Sequence, residues 1–296
     1  MFTVSGPELV VAACRNGVIG AFPTANARTS EELDAWIDQI KGRLEPASAP
    51  WCPNLIIRQP RMRRDLDVLL RHSPEIVITS VGSPAEVIAP LHAIGCLVFA
   101  DVGSLAHAEK AIAAGVDGLI LLTAGAGGNT GWLNPFAFVR AIRKIFKGPI
   151  VLAGGISDGV ALWAARVLGC DLAYMGTKFI ATQESMASQP YKEMVVDADA
   201  DDVMLTRAFS GLSANMLRPS IIAAGLDPDR LNEQVTPVEA SKLYGRDAGQ
   251  DGQKRWNNIW SAGHSVSSVV GITTVAELIA ATRSEYDDAR SASVGL

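Results

Sequence analysis

The stretch CLVFADVGSLAHAEKAIAAGVDGLILL, Cys96 to Leu122, holds the unit from which the fold is read. CLVFADV (Cys96 to Val102) and GLILL (Gly118 to Leu122) are short β-rich runs, apolar on both faces, and SLAHAEKAIAAG between them has a helical pattern. Strands that bury both faces belong to a parallel sheet covered by helices. The same unit recurs in both directions. VIGAF (Val18 to Phe22) precedes SEELDAWIDQIKGRL, NLIIR (Asn54 to Arg58) precedes RRDLDVLLRH, and EIVITS (Glu75 to Ser80) precedes SPAEVIAPLHAIG. Downstream, GLILL leads through a glycine-rich loop to NPFAFVRAIRKIF, PIVLAGG (Pro149 to Gly155) to DGVALWAARVLG, and LAYMGT (Leu172 to Thr177) to ATQESMASQPYKEMV.

Seven β–α repeats result, and an eight-stranded barrel needs one more. GPELVVAACRNG reads as a helix ending at Gly17, so the remaining strand belongs in front of it, where only MFTVS is available. The expectation is an α/β TIM (β/α)8 barrel whose first strand is either a short stub or missing because the sequence as given starts late. It is preferred to an open doubly wound sheet because the connection pattern continues without a break. After Tyr191 the pattern changes: DADADDVML is acidic, SANMLRPSIIAAGLDPDRL reads as helical with a proline-containing stop, and SKLYGRDAGQDGQKRW is polar and glycine-rich. Residues 200–258 are therefore expected to form a small helical subdomain, inserted into a barrel made of residues 1–199 and 259–296.

With 296 residues, 48% hydrophobic and 19% charged, the chain has the composition of a globular protein with a sizeable core. A formal charge of −5 disfavours nucleic acid and anionic membranes as partners, and the basic run RQPRMRRD reads as a solvated helix start. Cys14, Cys52, Cys96 and Cys170 form no C-x-x-C pair, so zinc and redox motifs lack support and reduced, buried thiols are expected. Neither a signal-peptide pattern nor an apolar run of membrane-spanning length is present in this sequence, and a cytoplasmic location is the expectation.

In such barrels the chemistry lies on loops at the C-terminal ends of strands. One strand ends LAGGIS, with Gly154 and Gly155, and the next ends YMGTKF, with Met175, Gly176 and Thr177. Glycines in these adjacent loops let backbone N–H groups converge beside helix N-termini, which suits a phosphate. Neither loop has the P-loop or G-x-G-x-x-G pattern.

GAGGNTG, VLAGGISDG, AYMGTKFIATQES and SAGHSV, with GPELVVAACRNGVIGAFP at the start, resemble the nitronate monooxygenase family (2-nitropropane dioxygenases) in order and spacing over nearly the whole chain. The resemblance implies an FMN-dependent TIM barrel with a helical subdomain. It assigns Gly154, Gly155, Gly176 and Thr177, with Met175 beside them, to loops that hold the FMN phosphate. Met1 and Asn54 match residues near the flavin, and Gly127 and Gly128 match glycines that let a loop pass over it. Asp101 falls where many relatives place a lysine by the pyrimidine end of the flavin; an aspartate there opposes an anionic reduced flavin unless it is neutralised.

The largest departure is Asn129. The family pattern reads Gly-Gly-His, and that histidine is implicated as the base that deprotonates a neutral nitroalkane. An amide does not titrate, although it can donate a hydrogen bond to a nitronate or carbonyl oxygen. His264 in SAGHSV is the second candidate base, weighed against a solvated position. His72, His92 and His107 are expected on the outer ring of helices in structural or solvated roles. Lys178 and Glu184 are weighed as anion or flavin partners against exposed helix positions. Trp132 and Phe136 are weighed as pocket walls, with packing under the loop favoured for Phe136, and Trp256 and Trp260 as a cap or a buried subdomain joint.

The leading expectation is an FMN oxidoreductase that oxidises alkyl nitronates with molecular oxygen, as an oligomer or not. The alternative is an FMN-dependent NAD(P)H reductase of quinones or enoyl thioesters. A phosphate-binding barrel without flavin is a third reading, for which no Schiff-base lysine or metal-ligand cluster is seen at strand ends.

Overall fold

Seven parallel strands pair in strict chain order in the computed structural model, which describes residues 1–244, 255 and 257–293. They are β1 (Gly20–Pro23), β2 (Trp51–Ile56), β3 (Ile76–Ser80), β4 (Leu97–Val102), β5 (Gly118–Leu122) and, beyond a two-residue strand β6 (Gly128–Asn129), β7 (Ile150–Ala153) and β8 (Leu172–Tyr174). The intervening helices are α1 (Pro7–Arg15), α2 (Ser30–Lys41), α3 (Met62–His72), α4 (Ala85–Ala93), α5 (Leu105–Ala114), α6 (Pro135–Ile145), α7 (Gly159–Leu168) and the single turn α8 (Thr177–Ile180). This is a TIM barrel with seven strands in its sheet.

The period of two decides what faces the barrel interior. Cys52, Ile78, Phe99, Ile120, Val151 and Ala153 fill it, while Leu55, Val77, Val98, Leu119, Leu121, Ile150 and Leu152 pack outward against the helices. Gly118 belongs to the interior arrangement: a Cβ there would stand 2.6 Å from the Phe99 ring. One step further toward the C-terminal mouth, the same alternation places Asn54, Ser80, Asp101, Leu122 and Tyr174 above that plug.

Where the eighth strand of a closed barrel belongs, residues 2–4 form a turn, with Thr3 at φ 64°. The strand stub expected in MFTVS does not form. Its polar groups are taken up one by one: Ser5 Oγ donates to Ala21 O (2.7 Å), the Met186 amide donates to Val4 O (2.9 Å), and Asn26 Nδ2 donates to Met1 O and Ser5 O (3.1 and 2.8 Å). This segment therefore lies against β1 on one side and the chain after α8 on the other.

After α9 (Gln189–Asp197) come β9 (Val203–Thr206), β10 (Ala214–Leu217), α10 (Arg218–Ala223), α11 (Pro237–Tyr244) and finally α12 (Val275–Ser293). The stretch SANML, which reads as helical, is a strand. It pairs antiparallel with β9 and with β6, a non-local partnership that local periodicity does not reveal. Ala208, Phe209, Ala214, Met216, Ile221 and Ile259 form a small separate core for this region. α12 returns to the barrel and crosses α7 so closely that a Cβ on Gly159 would stand 2.2 Å from Tyr286 N. All four cysteines are reduced and buried, and burial pushes Cys14 and Cys170 up to about 11 and Cys96 to about 12. No helix among the described residues is long and apolar enough to cross a membrane.

Candidate active site

The loops after β5, β7 and β8 converge with a distant segment, Ser261 to His264, at one end of the barrel. Glycine allows the convergence. A Cβ on Gly127 would lie 2.8 Å from Gly263 N and 2.9 Å from Ala262 C, and one on Gly125 (φ 93°) would lie 2.9 Å from the His264 ring. A Cβ on Gly154 (φ 114°) would meet Thr123 Oγ1 at 2.7 Å and Ala126 N at 2.8 Å. The loop is then pinned by hydrogen bonds. His264 N donates to Gly125 O (2.9 Å), Gly263 N to Thr177 Oγ1 (2.8 Å), and Asn215 Nδ2 to Ala126 O (2.8 Å). Thr130 Oγ1 donates to Thr123 O (2.8 Å), closing the loop on itself.

Asn129 follows on β6, opposite Ala214 of β10. It is half-buried, yet its Oδ1 is sealed from solvent and has no hydrogen-bond partner. An orphaned buried acceptor is costly and points to a group that completes it. At the end of the neighbouring strand β4, Asp101 Oδ1 is in the same condition. Burial pushes the Asp101 carboxyl up to about 7, against the opposing pull of a hydrogen bond from Asn54 and of the Met1 amino group. That amino group is itself lowered by burial. Asn54 is oriented from below, because Ser80 Oγ donates to its Oδ1 at 2.7 Å and leaves the NH2 for other partners. Tyr174 lies close enough to Asp101 for the two to interact electrostatically, and burial holds its phenol neutral.

The sequence-derived candidates thus fall into one connected rim. Asn54 adjoins Asp101, Met1 adjoins both Asp101 and Gly176, Thr177 binds Gly263, and Gly263 abuts Gly127. Gly155, at φ 75°, has nothing within 4 Å of the direction a Cβ would take, so its backbone stands open to a ligand. Gly128 takes φ 69° as the loop enters β6. Met175 is the exception: like Ala173 it packs its half-buried side chain with the outward-facing layer between sheet and helices, so only its backbone lies beside Gly176. His264 stands at the rim's outer edge, with its side chain exposed.

Other candidates leave the site. Trp132 is 80% exposed and Phe136 64% exposed. The expected packing of Phe136 under the loop fails because the buried stripe of α6 is Phe138, Val139 and Ile142, which turns Phe136 outward. Glu184 accepts the Val275 N–H at 3.0 Å and caps α12 rather than reaching the site. His72 pairs with Asp34 at 2.9 Å and His92 with Asp117 at 2.8 Å on the outer ring. Trp260 stacks on Tyr191 with centroids 4.9 Å apart, joining the excursion to α9, while Trp256 lies outside the described residues. Ser80, Thr123, Tyr174 and Asn215 belong to the site and are not among the sequence-derived candidates; the strand-end positions of Ser80, Thr123 and Tyr174 are the signal that could have found them, and Asn215 carries none.

A family model for nitronate monooxygenase matches residues 54–284. The chain belongs to the nitronate monooxygenase family. It is an enzyme of the oxidoreductase class, in a family whose members are generally flavin-dependent. It is 29% identical over 271 residues to a nitronate monooxygenase of Paraburkholderia phytofirmans, which covers 86% of this chain and 73% of that protein. A Rhodococcus jostii protein named (3aS,4S,5R,7aS)-5-hydroxy-7a-methyl-1-oxo-octahydro-1H-indene-4-carboxyl-CoA dehydrogenase is 28% identical over 219 residues, covering 74% of this chain and 61% of its own length. The chain thus spans about three fifths of that relative. Among solved structures, FabK from Thermotoga maritima superposes with a TM-score of 0.84 at 25% identity, covering 100% of this chain and 93% of that one. The nitroalkane oxidase of Streptomyces ansochromogenes gives 0.79 at 25% identity, covering 98% of this chain and 94% of that one.

Proposed function

We propose that this nitronate monooxygenase family member is an FMN-dependent oxidoreductase that oxidises pre-formed alkyl nitronates with molecular oxygen. The observation that carries the reading is Asn129: a non-titrating amide whose buried Oδ1 is left without a partner, on the loop that closes the barrel mouth. The residues present fit a flavin. Gly155 offers an open backbone, Gly154 and Gly176–Thr177 flank it, and the partnerless buried polar atoms of Asp101 and Asn129 suit the polar edge of a heterocycle. Gly154, Gly155, Gly176 and Thr177 would hold the phosphate, with Met175 and Met1 beside them. Asn54, Asp101, Gly127 and Gly128 would border the ring.

Bound FMN would supply the electron-transfer chemistry that no protein side chain provides. The chain's own part is binding and exclusion. The Asn129 NH2 would donate to an oxygen of the nitronate and hold it in place. It takes no proton from a neutral nitroalkane, so the substrate must arrive as the anion. His264 is exposed at the rim, where it would meet solvent and incoming substrate rather than a desolvated α-carbon. Residues 200–258 would form a separate subdomain against a barrel of residues 1–199 and 259–296, and β10 would fix Asn129 through β6.

A second reading, an FMN-dependent NAD(P)H reductase of quinones or enoyl thioesters, draws support from the Rhodococcus relative, whose name specifies a carboxyl-CoA compound. Anaerobic reduction separates the two. Bleaching of the flavin-loaded protein by a nitronate, with slow or no bleaching by NADH or NADPH, is the expected result. Rapid bleaching by a pyridine nucleotide with no nitronate turnover would reject the monooxygenase reading.

A further inference from the structure

Asp101 is placed beside the proposed flavin ring, but its protonation state there is not set by the nitronate reading. Asp101 ends β4 on its interior face, two residues beyond Phe99 and therefore on the same side of the strand, directly above the apolar plug. Its register partner on β5 is Ile120, so no hydrogen-bonding side chain faces it from that strand. From β2 it faces Asn54 and Cys52, and from β8 Tyr174; from the N-terminal segment it faces the Met1 amino group. Burial holds both the Cys52 thiol and the Tyr174 phenol neutral. No lysine, arginine or histidine side chain among the described residues is among the groups that act on it. Ser80 Oγ donates to Asn54 Oδ1 at 2.7 Å and so orients the Asn54 NH2 beside Asp101.

A carboxylate in this position lacks a strong counter-ion, and Oδ1 has no donor at all. Asp101 as a residue is half-buried, but charge on its sealed Oδ1 is expensive, and taking up a proton is the cheaper response. A bound flavin would remove further water and bring electron-rich atoms near the carboxyl, and both effects would act in the same direction. We propose that Asp101 meets the bound cofactor as a neutral carboxylic acid and offers it an O–H donor, taking the place that a cation would otherwise fill. This inference rests on the FMN reading above. It removes the conflict between an acidic residue and an electron-rich reduced flavin, because the neutral acid donates where a carboxylate repels.

The sign of the linkage is fixed. Burial already pushes the cofactor-free carboxyl up to about 7. Binding that favours the protonated form raises it further, so FMN binding takes up a proton and weakens as pH rises through that value. The experiment is fluorescence titration of the cofactor-free full chain with FMN between about pH 6 and pH 9, for wild type and Asp101→Asn. Proton uptake by wild type is followed in weak buffer with an indicator dye.

The expected result is an FMN Kd that rises at least about tenfold across that range in wild type, an almost flat profile in Asp101→Asn, and net proton uptake on binding. Asparagine keeps a neutral donor in the same place, so its affinity is expected near that of wild type at low pH. Wild-type affinity that is flat or increases with pH, or proton release on binding, would overturn the inference; these readings need no variant to fold. An equal pH slope in Asp101→Asn would also overturn it. Failure to bind FMN at every pH would reject the FMN reading itself and this inference with it, an outcome distinct from pH-independent binding.

Discussion

Thr177 Oγ1 accepts a hydrogen bond from Gly263 N at 2.8 Å, joining the end of the last barrel strand to a segment more than eighty residues further along the chain, |i−j| = 86. Both groups are buried, so the bond also decides whether the Gly263 N–H is satisfied. Thr177→Val keeps the shape and removes the acceptor. Urea denaturation of the FMN-free protein is expected to show a loss of about 1–3 kcal/mol for Thr177→Val and a smaller one for Thr177→Ser.

Gly127 and Gly155 are expected to respond differently to alanine. At Gly127 the new Cβ would meet backbone atoms of Ala262 and Gly263 that cannot rotate away. The loop must shift, at a cost of about 1–3 kcal/mol in thermal or urea unfolding. At Gly155 the Cβ meets nothing, and the cost is the left-handed conformation at φ 75°, about 1–2 kcal/mol. FMN affinity should separate them further. Gly155→Ala is expected to weaken it at least about tenfold by placing a methyl group on the open face of the turn.

Stability of the cofactor-free protein should carry the Asp101 signature with a definite sign. Its folded-state value of about 7 lies above the ordinary carboxylate value of 3.8, so between these limits the native state holds more protons than the unfolded chain. This residue's contribution is fully favourable below the lower value and is lost as pH rises through the upper one. Glu8 and Asp171, lowered in the fold, act in the opposite direction. The comparison is therefore with Asp101→Asn: its stability relative to wild type is expected to increase from pH ~5 to pH ~8 in urea denaturation. A constant difference would contradict the assignment.

The barrel was legible because its strands are short, apolar on both faces and followed by capped helices. GLILL coincides with β5, and Ser104 caps α5 by accepting from His107 N at 3.2 Å. The rim residues were legible as glycines and as departures from a family pattern, but the reason for the glycines was not. Gly127 answers to Ala262 and Gly263, which local sequence cannot place beside it. The same limit applies to SANML, where pairing with β6 and β9 decides the strand, and to Phe136, whose outward turn depends on the phase of α6.

Asn129→His tests whether the absent base alone restricts the substrate. The variant is expected to gain or raise activity on neutral nitroalkanes, read as oxygen uptake with 2-nitropropane. An unchanged rate would show that the pocket around β6 and β10 also excludes the neutral form.

The central claim is tested most directly by oxygen consumption of the flavin-loaded wild-type protein with 2-nitropropane and with its pre-formed nitronate, each added at the same pH and assayed before the two interconvert. Turnover of the nitronate with little or none of the neutral compound is the expected result. Equal turnover of both, or of neither, would contradict an enzyme in which Asn129 binds an anion it cannot itself generate.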